Sequence, residues 1–269
     1  MRHDVDKLPG NALKMARLEH EMGVKATYYF RAVPVSWDEG IIREIAGMGH
    51  EVGYHYENLE SVTREGKRRM KSGVRESARI DANEEINISL ADRQGNKFIA
   101  RSGKDDWRER LIDLGYEDFC WNLERLREIV PVRTVCMHGS PLSKYDNRMI
   151  WEKYDYKELG IIGEPYFDVD YKEVFYITDT GRKWNNEAAS VRDRVGYENL
   201  GIQELRDLGI EELTRCHSTQ EIIAAVEAGK FTDKVMINVH PQRWLSALHG
   251  VKISLAECEE CDEENYYKI

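Results

Sequence analysis

The feature that most constrains this chain is the exchange of apolar runs with amphipathic stretches over residues 3–57, with polar residues at the ends of the runs. Arg2 to Val5 reads as a strand end. Pro9 and Asn11 open a helix with Ala12, Met15, Ala16 and Met22 roughly on one face, closed by Gly23. Ala26 to Phe30 is a β-rich apolar run of the buried-strand type. Ser36 and Glu39 have capping-box spacing for a helix over Asp38 to Met48, and Gly49 ends it. Glu51 to His55 is the next strand. Strands separated by helices at this spacing pair in parallel, as βαβ units.

Residues 60–110 break the rhythm with polar and charged sequence. Within them Ile86 to Leu90, a Gly95-Asn96 turn and Lys97 to Ala100 read as a β-hairpin, so this stretch is expected to be an insertion. The α/β pattern then resumes. Phe119, Leu123, Leu126 and Val130 mark an amphipathic helix, Val132 to Met137 a strand, and Val174 to Thr178 another. Ser218 caps a helix containing Ile222, Ile223 and Val226 and ended by Gly229, and Val235 to Val239 is the last strong strand. One domain over 1–269 is the simplest organisation. Ionisable residues recur just past the strands: Asp4 and Asp6, His55, His138, Asp179 with Arg182, and His240. In a parallel α/β barrel the carboxyl ends of all strands share one face, so these scattered residues are expected to converge there.

A chain of 269 residues can bury a sizeable core. Its net charge of -10 argues against nucleic acid as the main partner, because phosphate binding needs a basic surface. No apolar run reaches the length of a membrane span, and none at the N-terminus has the length of a signal peptide, so a cytoplasmic location is expected. The Asp4-Asp6 motif stands so near Met1 that either the first strand is very short or the chain start is trimmed. The five cysteines read as free thiols. Cys258 and Cys261 have the spacing of a metal knuckle or redox pair, but as a lone pair in an acidic tail they read better as solvated. Oligomeric state is not legible.

Asp4 and Asp6 are two residues apart. At a strand end both can reach one site, where a divalent cation relieves their repulsion, one ligating and the other accepting a proton. Such a pair alone also suits a solvated turn. His55 and Glu57 have the same spacing, on one side of an extended chain, whereas His50 follows Gly49 and suits the turn itself. His138 ends a strand and is either a metal ligand or a contact for a substrate hydroxyl. Cys136 reads as a packed thiol. Asp179, Arg182 and Trp184 combine an acid, a cation and a ring, as carbohydrate sites do, or form an exposed turn with an internal ion pair. His240 with Arg243 and Trp244 is similar.

Four segments together resemble the polysaccharide-deacetylase family, the NodB-homology or carbohydrate esterase 4 type. They are Arg2-His3-Asp4-Val5-Asp6, Ala26 to Phe30, Gly49 to His55, and Val239-His240. The resemblance implies a distorted (β/α) barrel and one divalent metal ion, usually zinc. It implies hydrolysis of the N-acetyl amide of an amino sugar or sugar-containing precursor. By position Asp4 resembles the general base, Asp6 and His55 metal ligands, and His240 the acid that protonates the leaving amine. The family's second metal histidine, four residues after His55, is Leu59 here. His138 is the expected replacement and Glu57 the next choice. Arg182 is the candidate to orient the base, and Glu57, Asp179, Trp184 and Arg243 are expected substrate contacts. Two other readings stay open: a cyclic amide or imide hydrolase on the same fold, and a non-catalytic carbohydrate-binding module.

Overall fold

Eight strands and five α-helices, with a helical turn over 58–63 and three short 3-10 turns, make up the regular structure of the described residues, which are 1–63, 89–91, 97–99, 104–139, 145–180, 184–185 and 216–244 of a computed structural model. In chain order the strands are β1 (Arg2–Val5), β2 (Thr27–Phe30), β3 (Glu51–Tyr56), β4 (Ser89–Ala91), β5 (Lys97–Ile99), β6 (Val135–Met137), β7 (Phe175–Thr178) and β8 (Val235–Val239). The helices are α1 (Pro9–Glu21), α2 (Glu39–Gly47), α3 (Lys104–Arg127), α4 (Pro165–Asp168) and α5 (Thr219–Glu227). Strands β4 and β5 form the expected antiparallel hairpin, and the rest of the expected insertion lies largely outside the described residues.

The other six strands form one parallel sheet in the order β6-β3-β2-β1-β8-β7. In a flat sheet β1 and β6, three strands apart, would be separated by roughly 14 Å. Yet the side chains just beyond them meet, with His138 Nε2 3.4 Å from Asp6 Oδ1. The sheet is therefore strongly curled. Among the described residues its edges β6 and β7 do not pair, so the expected barrel is a half-barrel; β6 is extended by a parallel bridge between Thr134 and Gly163.

Alternation along each strand decides what faces inward. Arg2, Asp4, Tyr29 and His55 point into the concave side, while His3, Tyr28, Tyr54 and Tyr56 point out toward the helices. Tyr29 needs Gly53 beneath it, because a Cβ there would lie 2.3 Å from its ring. On the convex side Tyr54, Tyr56 and Phe119 are fully buried between β3 and α3, each contributing about 1.5–3 kcal/mol by burial. A second cluster joins β7, β8 and α5 through Phe175, Ile177, Ile222, Ala225 and Val239.

Most expected elements lie within a few residues of the observed ones; the exception is α3, which begins at Lys104, within the stretch 60–110 expected as an insertion and well before the expected helix at Phe119. Two further differences lie at helix ends. The side chain of Asp38 caps α2 by accepting from Ile41 N at 3.0 Å, whereas Ser36 donates to the Val5 carbonyl and accepts from Arg31 N. Met22 stands past the end of α1 and is exposed instead of sharing its buried face. Ser218 caps α5 with both bonds of a capping box. None of the described helices is long and apolar enough to cross a membrane.

Candidate metal centre and acid-base pair

Asp4 stands one residue before the end of β1 with its carboxylate aimed into the concave side. Arg2, two residues earlier and so on the same face, grips it twice, from Nε at 2.9 Å and Nη2 at 2.6 Å. Asn238 of the adjacent β8 donates a third bond at 3.1 Å. Burial opposes ionisation of Asp4, but the Arg2 guanidinium outweighs it and holds the carboxyl well below the usual range. The chain turns directly after Asp4, Asp6 N donating to Asp4 O at 3.1 Å, and this swings the Asp6 carboxylate over the same hollow.

Three strand ends deliver three candidate ligands, Asp6, His55 and His138. His55 Nε2 lies 3.6 Å and His138 Nε2 3.4 Å from Asp6 Oδ1, and all three ligand atoms lie within 4.8 Å of one another. Tetrahedral zinc with bonds of about 2.0–2.1 Å separates its donors by roughly 3.3–3.4 Å. His55 Nδ1 bonds the Cys136 carbonyl at 2.9 Å, which fixes that nitrogen as the N–H and turns the Nε2 lone pair toward Asp6. Burial pulls the His55 pKa down to about 4, so the ring is neutral, the form in which imidazole ligates. Asp6 Oδ1 is buried and has no hydrogen bond. Its other oxygen accepts from Gln242 Nε2 at 2.9 Å. A carboxylate oxygen without a hydrogen bond, the Nε2 lone pair of His55 and the Nε2 of His138 converging on one point suit a divalent cation. Asp4, His55 and Cys136 also converge, but both oxygens of Asp4 are already engaged by Arg2.

Across the hollow stands a histidine with opposite surroundings. His240 follows β8 and its Nδ1 lies 2.5 Å from Asp179 Oδ1, at the end of β7. Asp179 accepts five further bonds: the His240 backbone N–H at 3.2 Å to Oδ1 and 3.1 Å to Oδ2, Trp244 Nε1 at 2.7 Å to Oδ2, and Arg243 Nη1 at 2.7 Å to the carbonyl and 3.2 Å to Oδ1. Burial disfavours the His240 imidazolium, but Asp179, helped by Asp4 and Asp6, raises its pKa above the ordinary value. The outer nitrogen, Nε2, lies 3.9 Å from Asp6 Oδ2 and so opens onto the same hollow.

The remaining expected residues divide. Glu57 lies beside His138, with Oε2 3.2 Å from Nδ1 at an angle too poor for a hydrogen bond, and is held by Arg31 through contacts of 2.7, 2.7 and 3.1 Å. Burial opposes its ionisation, but His138 and Arg31 bring its pKa down to about 2. Trp184 is buried in the β7-β8-α5 cluster, tilted against Trp244 and donating to Thr219 Oγ1, not open for stacking on a ligand. Asp179 and Arg243, expected at the substrate, hold His240. Arg182 lies outside the described residues. Leu59 is fully buried, its Cδ2 only 2.5 Å from where a Cβ on Gly115 would be, so it points into the core beneath α3 and away from the hollow. His50 bonds Ala26 N and Ala16 O and serves the turn. Sequence reasoning did not single out Arg2 or Asn238 as partners of Asp4. The two-residue spacing was a usable signal for Arg2, and Asn238 had none.

No family model matches the chain, and no curated protein matches it. Among solved structures it is similar to a mutant of a CE4 family pseudoenzyme with restored enzymatic activity, at 10% identity and a TM-score of 0.34, over 88% of this chain and 64% of that one.

Proposed function

We propose that this chain is a metal-dependent hydrolase that removes an N-acetyl group from an amino sugar or sugar-containing precursor. The observation that carries the reading is one aspartate, Asp6, flanked by a neutral histidine of ligand type and by a histidine of acid type. His55 has a backbone carbonyl behind it and His240 a carboxylate. Amide hydrolysis needs both: a group that activates water and carbonyl, and an acid for the departing nitrogen. A non-catalytic sugar-binding module has no use for such an acid.

Asp6, His55 and His138 would hold the ion. When bound, it supplies Lewis acidity toward the amide carbonyl and brings a water's pKa toward neutrality, within reach of a weak base. Asp4 takes the proton from the attacking water. Arg2 and Asn238 fix its direction and keep it ionised. His240 donates a proton from Nε2 to the amine as the C–N bond breaks, and Asp179 stabilises the charged ring until then. The products are acetate and the free amine. The sequence resemblance supplies the sugar, and the geometry supports the amide chemistry.

The test is metal analysis of the purified chain followed by an acetate-release screen over N-acetylated sugars, with Asp4→Asn beside the native chain. Metal in both proteins, with acetate released by the native chain alone, supports the reading. Equal turnover by Asp4→Asn on the same substrate would overturn the assignment. Hydrolysis of cyclic imides with no metal bound would replace it.

A further inference from the structure

The third ligand of the candidate centre, His138, sits on neither strand of the Asp6-His55 pair, so something must hold its segment against theirs. Its backbone N–H donates to Tyr56 O at 2.8 Å, anchoring one side. The other side reaches a residue far from any strand. Asn147, fully buried at the start of a short 3-10 turn (Asn147–Glu152), donates from Nδ2 to the His138 carbonyl at 3.2 Å. Its Oδ1 accepts from Leu59 N at 3.0 Å and Glu60 N at 3.4 Å, two amides at the start of the helical turn over 58–63 that follows His55 and Glu57. A single amide side chain thus ties the segment carrying His138 to the segment carrying His55. The first N–H groups of a helix have no partner within it, so Asn147 also satisfies donors that would otherwise be buried unpaired.

We propose that Asn147 is a positioning residue for metal binding, acting through His138, and this rests on the reading of Asp6, His55 and His138 as ligands. Bonds behind a metal ligand fix its orientation, and losing one typically costs about 10–100-fold in metal affinity. The two ends of the amide can be separated. Asn147→Asp keeps an oxygen for the helix amides but removes the donor to the His138 carbonyl. Its added negative charge by itself would favour a cation, so a loss of affinity in that variant cannot be general electrostatics.

The experiment is a Co2+ titration of the full chain, following the visible absorption bands that report ligand number and geometry. It compares the native protein, Asn147→Ala, Asn147→Asp, His138→Ala and the double variant His138→Ala/Asn147→Ala, with folding of each metal-free protein checked by circular dichroism. Both Asn147 variants are expected to bind at least about tenfold more weakly with altered bands, and the double variant to bind no worse than His138→Ala within about twofold, because Asn147 acts only through the imidazole that His138→Ala has already removed. Native affinity and bands in Asn147→Asp would overturn the proposal. So would additive losses in the double variant, or failure of both Asn147 variants to fold, either of which makes Asn147 a folding residue alone. Native Co2+ binding by His138→Ala would instead bring down the ligand assignment itself.

Discussion

His55 and His240 stand on opposite sides of one aspartate, both buried and both at the end of a parallel strand, yet they are prepared for opposite work. The difference lies behind the rings. His55 Nδ1 meets a neutral backbone carbonyl, and the nearby Asp4 and Asp6 carboxylates do not outweigh the cost of burying a charge, so the ring stays neutral. His240 Nδ1 meets the Asp179 carboxylate, which more than offsets that cost. The protein chooses ligand or acid by what it puts at Nδ1, leaving Nε2 of each ring for chemistry.

The hardest way to break this contrast is to delete its ligand side. His55→Ala should abolish metal retention on dialysis, a loss beyond the roughly 10–100-fold that supporting contacts cost, and turnover should vanish with it. Metal content measured by elemental analysis decides. Asp179→Asn attacks the acid side. It should leave metal content unchanged and cut kcat by roughly 10²–10⁴-fold, the usual range for a general acid. The pH profile sharpens the point. A raised pKa keeps His240 protonated above its ordinary value, so native turnover should fall only as pH rises through that elevated pKa, and in Asp179→Asn the alkaline limb should move to lower pH. An unmoved limb would detach His240 from the acid role.

How much of this was legible in the sequence follows from what each contact depends on. The parallel strands were legible because apolar runs and helix faces are local patterns. Asp6, His55, His138 and His240 were legible as site candidates because each stands at the end of a strand, His55 within its last residues and the others directly after it. The Asp179-His240 pair was not, since its members lie 61 positions apart and meet only because β7 pairs with β8. The burial of Trp184 was not legible for a related reason: an aromatic in a turn looks exposed until a second cluster forms over it. Asn147 carried no signal, as its function depends on two segments that only tertiary structure brings together. The half-barrel's curl also exceeds what local pattern can specify.

A smaller effect comes from the residue both histidines sense. Asp4 favours the charged form of each, and Arg2 fixes its direction. Arg2→Lys keeps the charge but loses the two-pronged grip. Hydrogen bonds to charged groups are worth about 1.5–3 kcal/mol, so kcat should fall roughly 10–100-fold with metal content intact. A variant that keeps full kcat would show that ionisation of Asp4 suffices without alignment.

The smallest effect is expected on the back of the same strand, where a third histidine meets a carboxylate with no hollow before it. His3 Nε2 lies 2.7 Å from Glu19 Oε1, and Tyr28 donates to Glu19 Oε2 at 2.6 Å. Burial opposes ionisation of Glu19, but His3 and Tyr28 lower its pKa. A lowered carboxylate pKa gives stability that is present above the unfolded value, about 4.3. It is lost as pH falls through the folded one. Glu19→Gln should therefore cost about 1–3 kcal/mol of stability near neutral pH and progressively less in acid, with metal content and kcat unchanged. Denaturant titrations at two pH values measure it. If kcat falls in this variant, the two faces of the sheet are coupled, and the partner behind a histidine no longer accounts alone for what the ring does.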